Sequence, residues 1–260
     1  AKELHSTSSG DGTDISETAK EAVLPTAYFT FPESDVTGTE EPGILAYGPV
    51  AYTEKTGTGS GDAKPVAIFA RLKRAYAKVT VNYTAGTGVS ITALRVENIP
   101  TRIYPFPATG NSPTDAFMNV DLTVNAGQTT YSFFMPENLR GNGTSTTAKE
   151  KNQPDNGPTQ SGSARNLDYC TCIVLTGTYN YYPNNTPENA ANPISVEYRF
   201  YPGADMIRNY DIERGKHYTL TLDLKGANSA DARVTITDGN VFTIADPDDV
   251  THKDDIVFGE

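Results

Sequence analysis

Three histidines, His5, His217 and His252, and two cysteines, Cys170 and Cys172, are the residues of this 260-residue chain best suited to nucleophilic or soft-metal chemistry. A hydrolytic triad needs a base within reach of a nucleophile. His5 and His252 lie in polar ends, His217 takes the polar phase of a predicted strand, and no Gly-x-Ser-x-Gly elbow occurs. Zinc sites need clustered ligands, and neither His-Glu-x-x-His nor a pair of Cys-x-x-Cys motifs is present. Residues i and i+2 of a strand sit roughly 6.5–7 Å apart, too far for a relaxed disulfide between Cys170 and Cys172. The two thiols are expected to be small packing residues.

The remaining patterns are weaker. Asp246, Asp248, Asp249, Asp254 and Asp255 cluster, but without the spacing and central glycine of a calcium loop, so a solvated acidic tail is the default. The glycine-rich Thr56–Gly61 is not followed by Lys-Ser/Thr and reads as a linker, not a phosphate cradle. Glycoside hydrolysis needs only two well-placed carboxylates among the 32 acids, so it is the enzyme class least excluded; the absence of Trp weighs modestly against it. Asn82, Asn142 and Asn184 begin glycosylation-type triplets, a pattern common by chance. No metal or other cofactor is implied. Tyr179, Tyr181 and Tyr182, with the pair Tyr198 and Tyr201, are either surface-binding aromatics or core.

The elements that must carry these residues are strands. Ala75, Ala77, Val79, Val81 and Tyr83 alternate with Tyr76, Lys78, Thr80 and Asn82, and Lys216, Tyr218, Leu220, Leu222 and Leu224 alternate with more polar neighbours. Further strands are expected at Ala27–Phe31, Val66–Ala70, Val89–Glu97, Thr129–Met135, Tyr169–Tyr181 and Ile194–Tyr201. Arg233–Thr237 and Val241–Ile244 read as a hairpin across Asp238-Gly239-Asn240. Residues 141–166 read as a long exposed loop. Thr18–Leu24 is the only helical hint, at two turns. These features predict an all-β, antiparallel sandwich of one or two domains: residues 1–64 a polar segment or partial β domain, residues 65–260 a sandwich with an acidic tail.

Charge is uneven. The net value is −11; residues 1–64 carry 11 acids against 4 bases, and residues 244–260 carry 6 against 1. A near-neutral body with acidic ends offers no basic face for nucleic acid. No apolar run reaches the ~18 residues of a membrane span. The polar opening Ala1-Lys2-Glu3-Leu4-His5 has no signal-peptide pattern, which fits either a cytoplasmic protein or a sequence numbered after processing.

Four segments in order carry a resemblance. They are Leu72-Lys73-Arg74-Ala75-Tyr76-Ala77-Lys78-Val79-Thr80-Val81, then Val96-Glu97-Asn98-Ile99-Pro100, then Phe134-Met135-Pro136-Glu137-Asn138-Leu139-Arg140-Gly141, and last Tyr210-Asp211-Ile212-Glu213-Arg214-Gly215-Lys216-His217-Tyr218. Together they resemble the C-terminal half of the fimbrillins, subunits of the type V pili of Bacteroidales; Gly215 stands where Asn is common. The resemblance spans 72–244. It implies transthyretin-like β-sandwich domains, export as a lipoprotein, proteolytic removal of an N-terminal strand after an Arg, and polymerisation by donor-strand exchange. The chain departs from the pattern in having only 71 residues before Leu72, no Cys near its start and no Arg before Arg71.

The function expected on this resemblance is that of a non-enzymatic extracellular pilus subunit for assembly and adhesion, joined head-to-tail to other pilin subunits. Its anchoring to the outer membrane would pass through a lipidated precursor. The tail cluster Ile256, Val257 and Phe258 is the donor-strand candidate, its alternative being the last strand of its own domain. The rival reading is a monomeric secreted β-sandwich that binds glycan or host protein.

Overall fold

The structure, a computed structural model, describes residues 4–5, 28–38, 42, 45–46, 50–54, 66–104, 112–159, 164–180, 193–226, 229–238 and 242–244. In chain order the elements are β1 (Leu4–His5), β2 (Tyr28–Thr30), α1 (Glu33–Thr37), β3 (Leu45–Ala46), β4 (Val50–Glu54), β5 (Val66–Arg74), β6 (Tyr76–Ala85) and β7 (Val89–Pro100). They continue with β8 (Arg102–Ile103), β9 (Phe117–Leu122), β10 (Thr130–Pro136), β11 (Cys172–Asn180), β12 (Pro193–Phe200), β13 (Lys216–Gly226), β14 (Ser229–Asp238) and β15 (Phe242–Ile244).

The fold is an all-β sandwich. One sheet runs β10-β6-β13-β14, the other β12-β11-β7-β9. Period-two alternation turns one face of each strand inward: Ala77, Val79 and Val81 of β6 and Leu220, Leu222 and Leu224 of β13 are fully buried. They share one core with Leu94 and Val96 of β7, Phe133 and Met135 of β10, and Ile173 and Leu175 of β11. Each large aliphatic side chain so buried contributes about 1.5–3 kcal/mol. Tyr83 and Tyr131 stack across β6 and β10 with ring centroids 6.2 Å apart. A bulge in β7 leaves Thr92 unpaired opposite Thr176 and Gly177 of β11, and a Cβ on Gly177 would lie 1.9 Å from the Ser90 carbonyl oxygen, so glycine is required there.

The two sides of the sandwich differ. Helix α1 buries Val36 and packs against β10 and β9, so those two edge strands share a covered side. On the other side β12 and β14 end their sheets, with no further strand paired outside either among the described residues.

Three sequence expectations need correction. Antiparallel pairing holds throughout except at β6 and β13, which run parallel. The chain passes through both sheets between them, so β7 to β12 serve as the crossover that a helix supplies in βαβ units. The predicted hairpin after Arg233 is absent: β14 pairs with β13, while β15 pairs with β5 over Phe242–Ile244. Residues 141–166 are not simply an exposed loop. They contain 3-10 turns at Glu150–Asn152 and Pro154–Asn156 and bury Ser145 and Lys151. Thr18–Leu24 and Thr56–Gly61 lie outside the described residues. No described helix is long and apolar enough to cross a membrane.

Candidate functional site

The four sequence segments set apart above converge at one end of the sandwich. β10 stops at Pro136, and Asn138 then pairs with Ile212 through two main-chain hydrogen bonds, Asn138 N to Ile212 O at 2.8 Å and Ile212 N to Asn138 O at 2.9 Å. The Asn138 amide is wholly buried. Its Nδ2 donates to Tyr169 O and Thr171 Oγ1, both at 2.9 Å, and its Oδ1 accepts from Arg140 Nε at 2.7 Å. Thr171 Oγ1 donates in turn to Asn98 O at 3.1 Å. Buried polar groups are tolerated only when satisfied in this way.

Charges reinforce the clasp. Asp211 Oδ1 accepts the main-chain N–H groups of Arg140 and Gly141 at 2.6 and 2.5 Å. Arg214 pairs with Glu137 at 3.1 Å, both side chains about one-tenth exposed. Gly215 follows with φ +72°, a left-handed conformation open to glycine and asparagine alike, and its N–H donates to Tyr76 O at 2.8 Å. The Arg140 guanidinium is buried 5.6 Å from the Phe117 ring centroid and 5.8 Å from that of Tyr169, and donates to Pro113 O. Burial lowers its pKa.

A second buried cation ties the 141–159 segment down. Lys151 Nζ donates to the carbonyls of Asp205 and Asn209 at 2.7 and 2.6 Å and lies 4.8 Å from the Tyr210 ring centroid. Tyr210 donates its hydroxyl back to Lys151 O at 2.8 Å. Burial pulls the Lys151 ammonium down to about 7, against the pull of Asp205. Lys151 spends its donors on main-chain carbonyls, and Arg140 spends Nε and Nη2 on Asn138 and Pro113 while its Nη1 is buried without a hydrogen-bond partner; this is the chemistry of a structural clasp.

The sequence candidates fall in separate places. Cys170 and Cys172 are buried free thiols in a small cluster with Val174, Tyr201 and Tyr210, and burial pushes both thiols up to about 12. His217 Nε2 is hydrogen-bonded to Thr80 Oγ1 at 2.9 Å. Tyr179 is half-buried against the main core; Tyr198 is core and donates to Gly226 O at 2.5 Å. Tyr181, Tyr182, Ile256, Val257, Phe258 and the 246–255 acidic cluster lie outside the described residues. Among the described residues no group of three or more His, Cys, Asp or Glu side chains is placed to hold a metal ion. Sequence reading missed Lys151, because an isolated lysine in a polar run carries no local signal of burial.

A family model described as a domain of unknown function, DUF4906, matches residues 133–222, the stretch from β10 to β13 that contains most of the clasp. No curated protein matches the chain. Among solved structures, the chain is similar to the tip fimbrial protein Mfa3 from Porphyromonas gingivalis with C-terminal truncation, at 16% identity and a TM-score of 0.40 over 64% of this chain and 52% of that one. It is also similar to a fimbrilin (FimA) from Porphyromonas gingivalis, at 14% identity and a TM-score of 0.36 over 70% and 64% of the two chains. The chain thus spans about half the length of the tip fimbrial protein.

Proposed function

We propose that this chain is an extracellular fimbrillin-like pilus subunit, which assembles head-to-tail with other pilin subunits by β-strand complementation and serves adhesion rather than catalysis. The observation that carries this reading is the asymmetry of the sandwich: α1 covers the β9 and β10 side, while β12 and β14 end their sheets unpaired among the described residues. An open edge offers main-chain donors and acceptors to an incoming strand. The fimbrillin resemblance of the four converging segments supports it further. The acceptor in this reading is the β12 edge, where Ile194 is 46% exposed, and the donor is the tail bearing Ile256, Val257 and Phe258 of another subunit. Such a heterologous contact does not close on itself and so grows a fibre. Surface location and anchoring through a lipidated precursor belong to the same proposal, as does the division at residue 64 into an N-terminal segment and a sandwich.

Electron microscopy of concentrated protein tests the acceptor. The unmodified chain is expected to form linear assemblies, and Ile194→Glu, an exposed substitution that places a charge on the edge, is expected to stay monomeric and folded. Assemblies unchanged by Ile194→Glu would remove β12 as the acceptor.

A further inference from the structure

Beside the clasp a polar cleft of about 330 Å³ opens, lined by Asn98, Leu167, Asp168, Tyr169, Arg199 and Tyr201. Its volume is at the lower end of the ~300–1,000 Å³ range of small-ligand sites. Three non-glycine residues in the described chain have positive φ, Asn98 at 58°, Ala116 at 65° and Tyr169 at 63°, and two of them form this wall. For a bulky residue such as Tyr169 this conformation is costly, and it persists only where the surroundings enforce it. The enforcement is visible: Asn138 Nδ2 holds Tyr169 O, Asn98 Nδ2 donates to Cys170 O at 3.0 Å, and Asn119 Oδ1 accepts from Asn98 N at 3.0 Å. The Tyr169 ring is braced by stacking on Phe117, with centroids 5.5 Å apart.

We infer that this cleft is a binding site for a neutral saccharide, with the Tyr169 ring as the platform for an apolar sugar face and Asn98, Asp168 and Arg199 as partners for its hydroxyls. The lining joins the planar polar groups of Asn98, Asp168 and Arg199 to aromatic residues in one cleft, a combination that suits a ligand with one apolar face and a rim of hydroxyls. Charge selects within the class. Arg199 is already paired with Glu97 and with Glu197 at 3.2 Å, and Asp168 adds a further carboxylate, so acids outnumber bases and an acidic sugar is repelled. Arg199 belongs to β12 but Tyr169 and Asp168 do not, so the assignment rests chiefly on those two residues and is separable from assembly through them.

Amide chemical shifts of the full chain, titrated separately with methyl galactoside, methyl mannoside, lactose and 3′-sialyllactose, test it. At least one neutral saccharide is expected to shift Asn98, Asp168, Tyr169 and Arg199 together, with sialyllactose weaker than lactose. Asp168→Ala, at an exposed position, is expected to weaken binding about tenfold. Tyr169→Asn, which keeps a residue tolerant of positive φ while removing the ring, is expected to abolish it. No response to any of the neutral sugars, tighter binding of sialyllactose, or binding unchanged in Asp168→Ala would each overturn the assignment.

Discussion

Asn138 and Ile212 exchange both of their main-chain hydrogen bonds, at 2.8 and 2.9 Å, and so join the end of β10 to the strand entry of β13 across 74 residues of sequence. Asn138→Ala removes the buried donors to Tyr169 O and Thr171 Oγ1 and leaves Arg140 Nε without its acceptor. The expected cost is about 3 kcal/mol, since buried groups are stranded as well as bonds lost. Urea unfolding measures it; a loss under about 0.5 kcal/mol, typical of an exposed position, would mean that this end of the sandwich is held by other means.

The Glu137 and Arg214 pair is almost fully shielded from solvent. Removing one partner leaves a buried charge, so Glu137→Ala is expected to cost about 3 kcal/mol, and the double variant with Arg214→Met markedly less than twice that. Equal and additive losses in the double-mutant cycle would show the two side chains to be uncoupled.

Lys151 supplies a pH signature. Burial lowers its folded pKa to about 7, below the ordinary lysine range, so between these values the unfolded chain binds the extra proton. Stability attributable to Lys151 therefore rises as pH increases above about 7, and is lowest where the ammonium is charged in both states. The difference in urea midpoint between the parent chain and Lys151→Met is expected to shift in the parent's favour from pH 7 to pH 8.5. A difference independent of pH would place the Lys151 pKa in its ordinary range.

Cys170 and Cys172 are buried and their thiols are pushed up to about 12, so thiolate is scarce near neutral pH. Labelling by a disulfide reagent is expected to be slow in native protein and to track unfolding in urea. Rapid labelling of the native chain would contradict the packing role.

Much of the sandwich was legible because half-buried strands write their pattern locally. The alternations at 75–83 and 216–224 became β6 and β13, with the predicted apolar residues inside and only Lys216, at the strand's start, left half-buried. β9 escaped although Met118, Val120 and Leu122 alternate with Asn119 and Asp121 in the same way, because the pattern covers only six residues, a segment too short to stand out. The clasp was legible only as four separate motifs. What makes them one object is the meeting of Asn98, Asn138, Tyr169 and Ile212, which are distant in sequence and meet only through strand pairing. Lys151 was illegible for a related reason: its burial depends on the carbonyls of Asp205 and Asn209, more than fifty residues away.

Assembly by strand donation stands or falls with the tail. The most direct measurement is light scattering after size-exclusion chromatography, over a range of concentrations, on this chain with and without residues 250–260. Oligomers that grow with concentration in the full chain and vanish in the shortened one are the expected result. A monomer in both, or oligomers that persist without the tail, would contradict donation by Ile256, Val257 and Phe258.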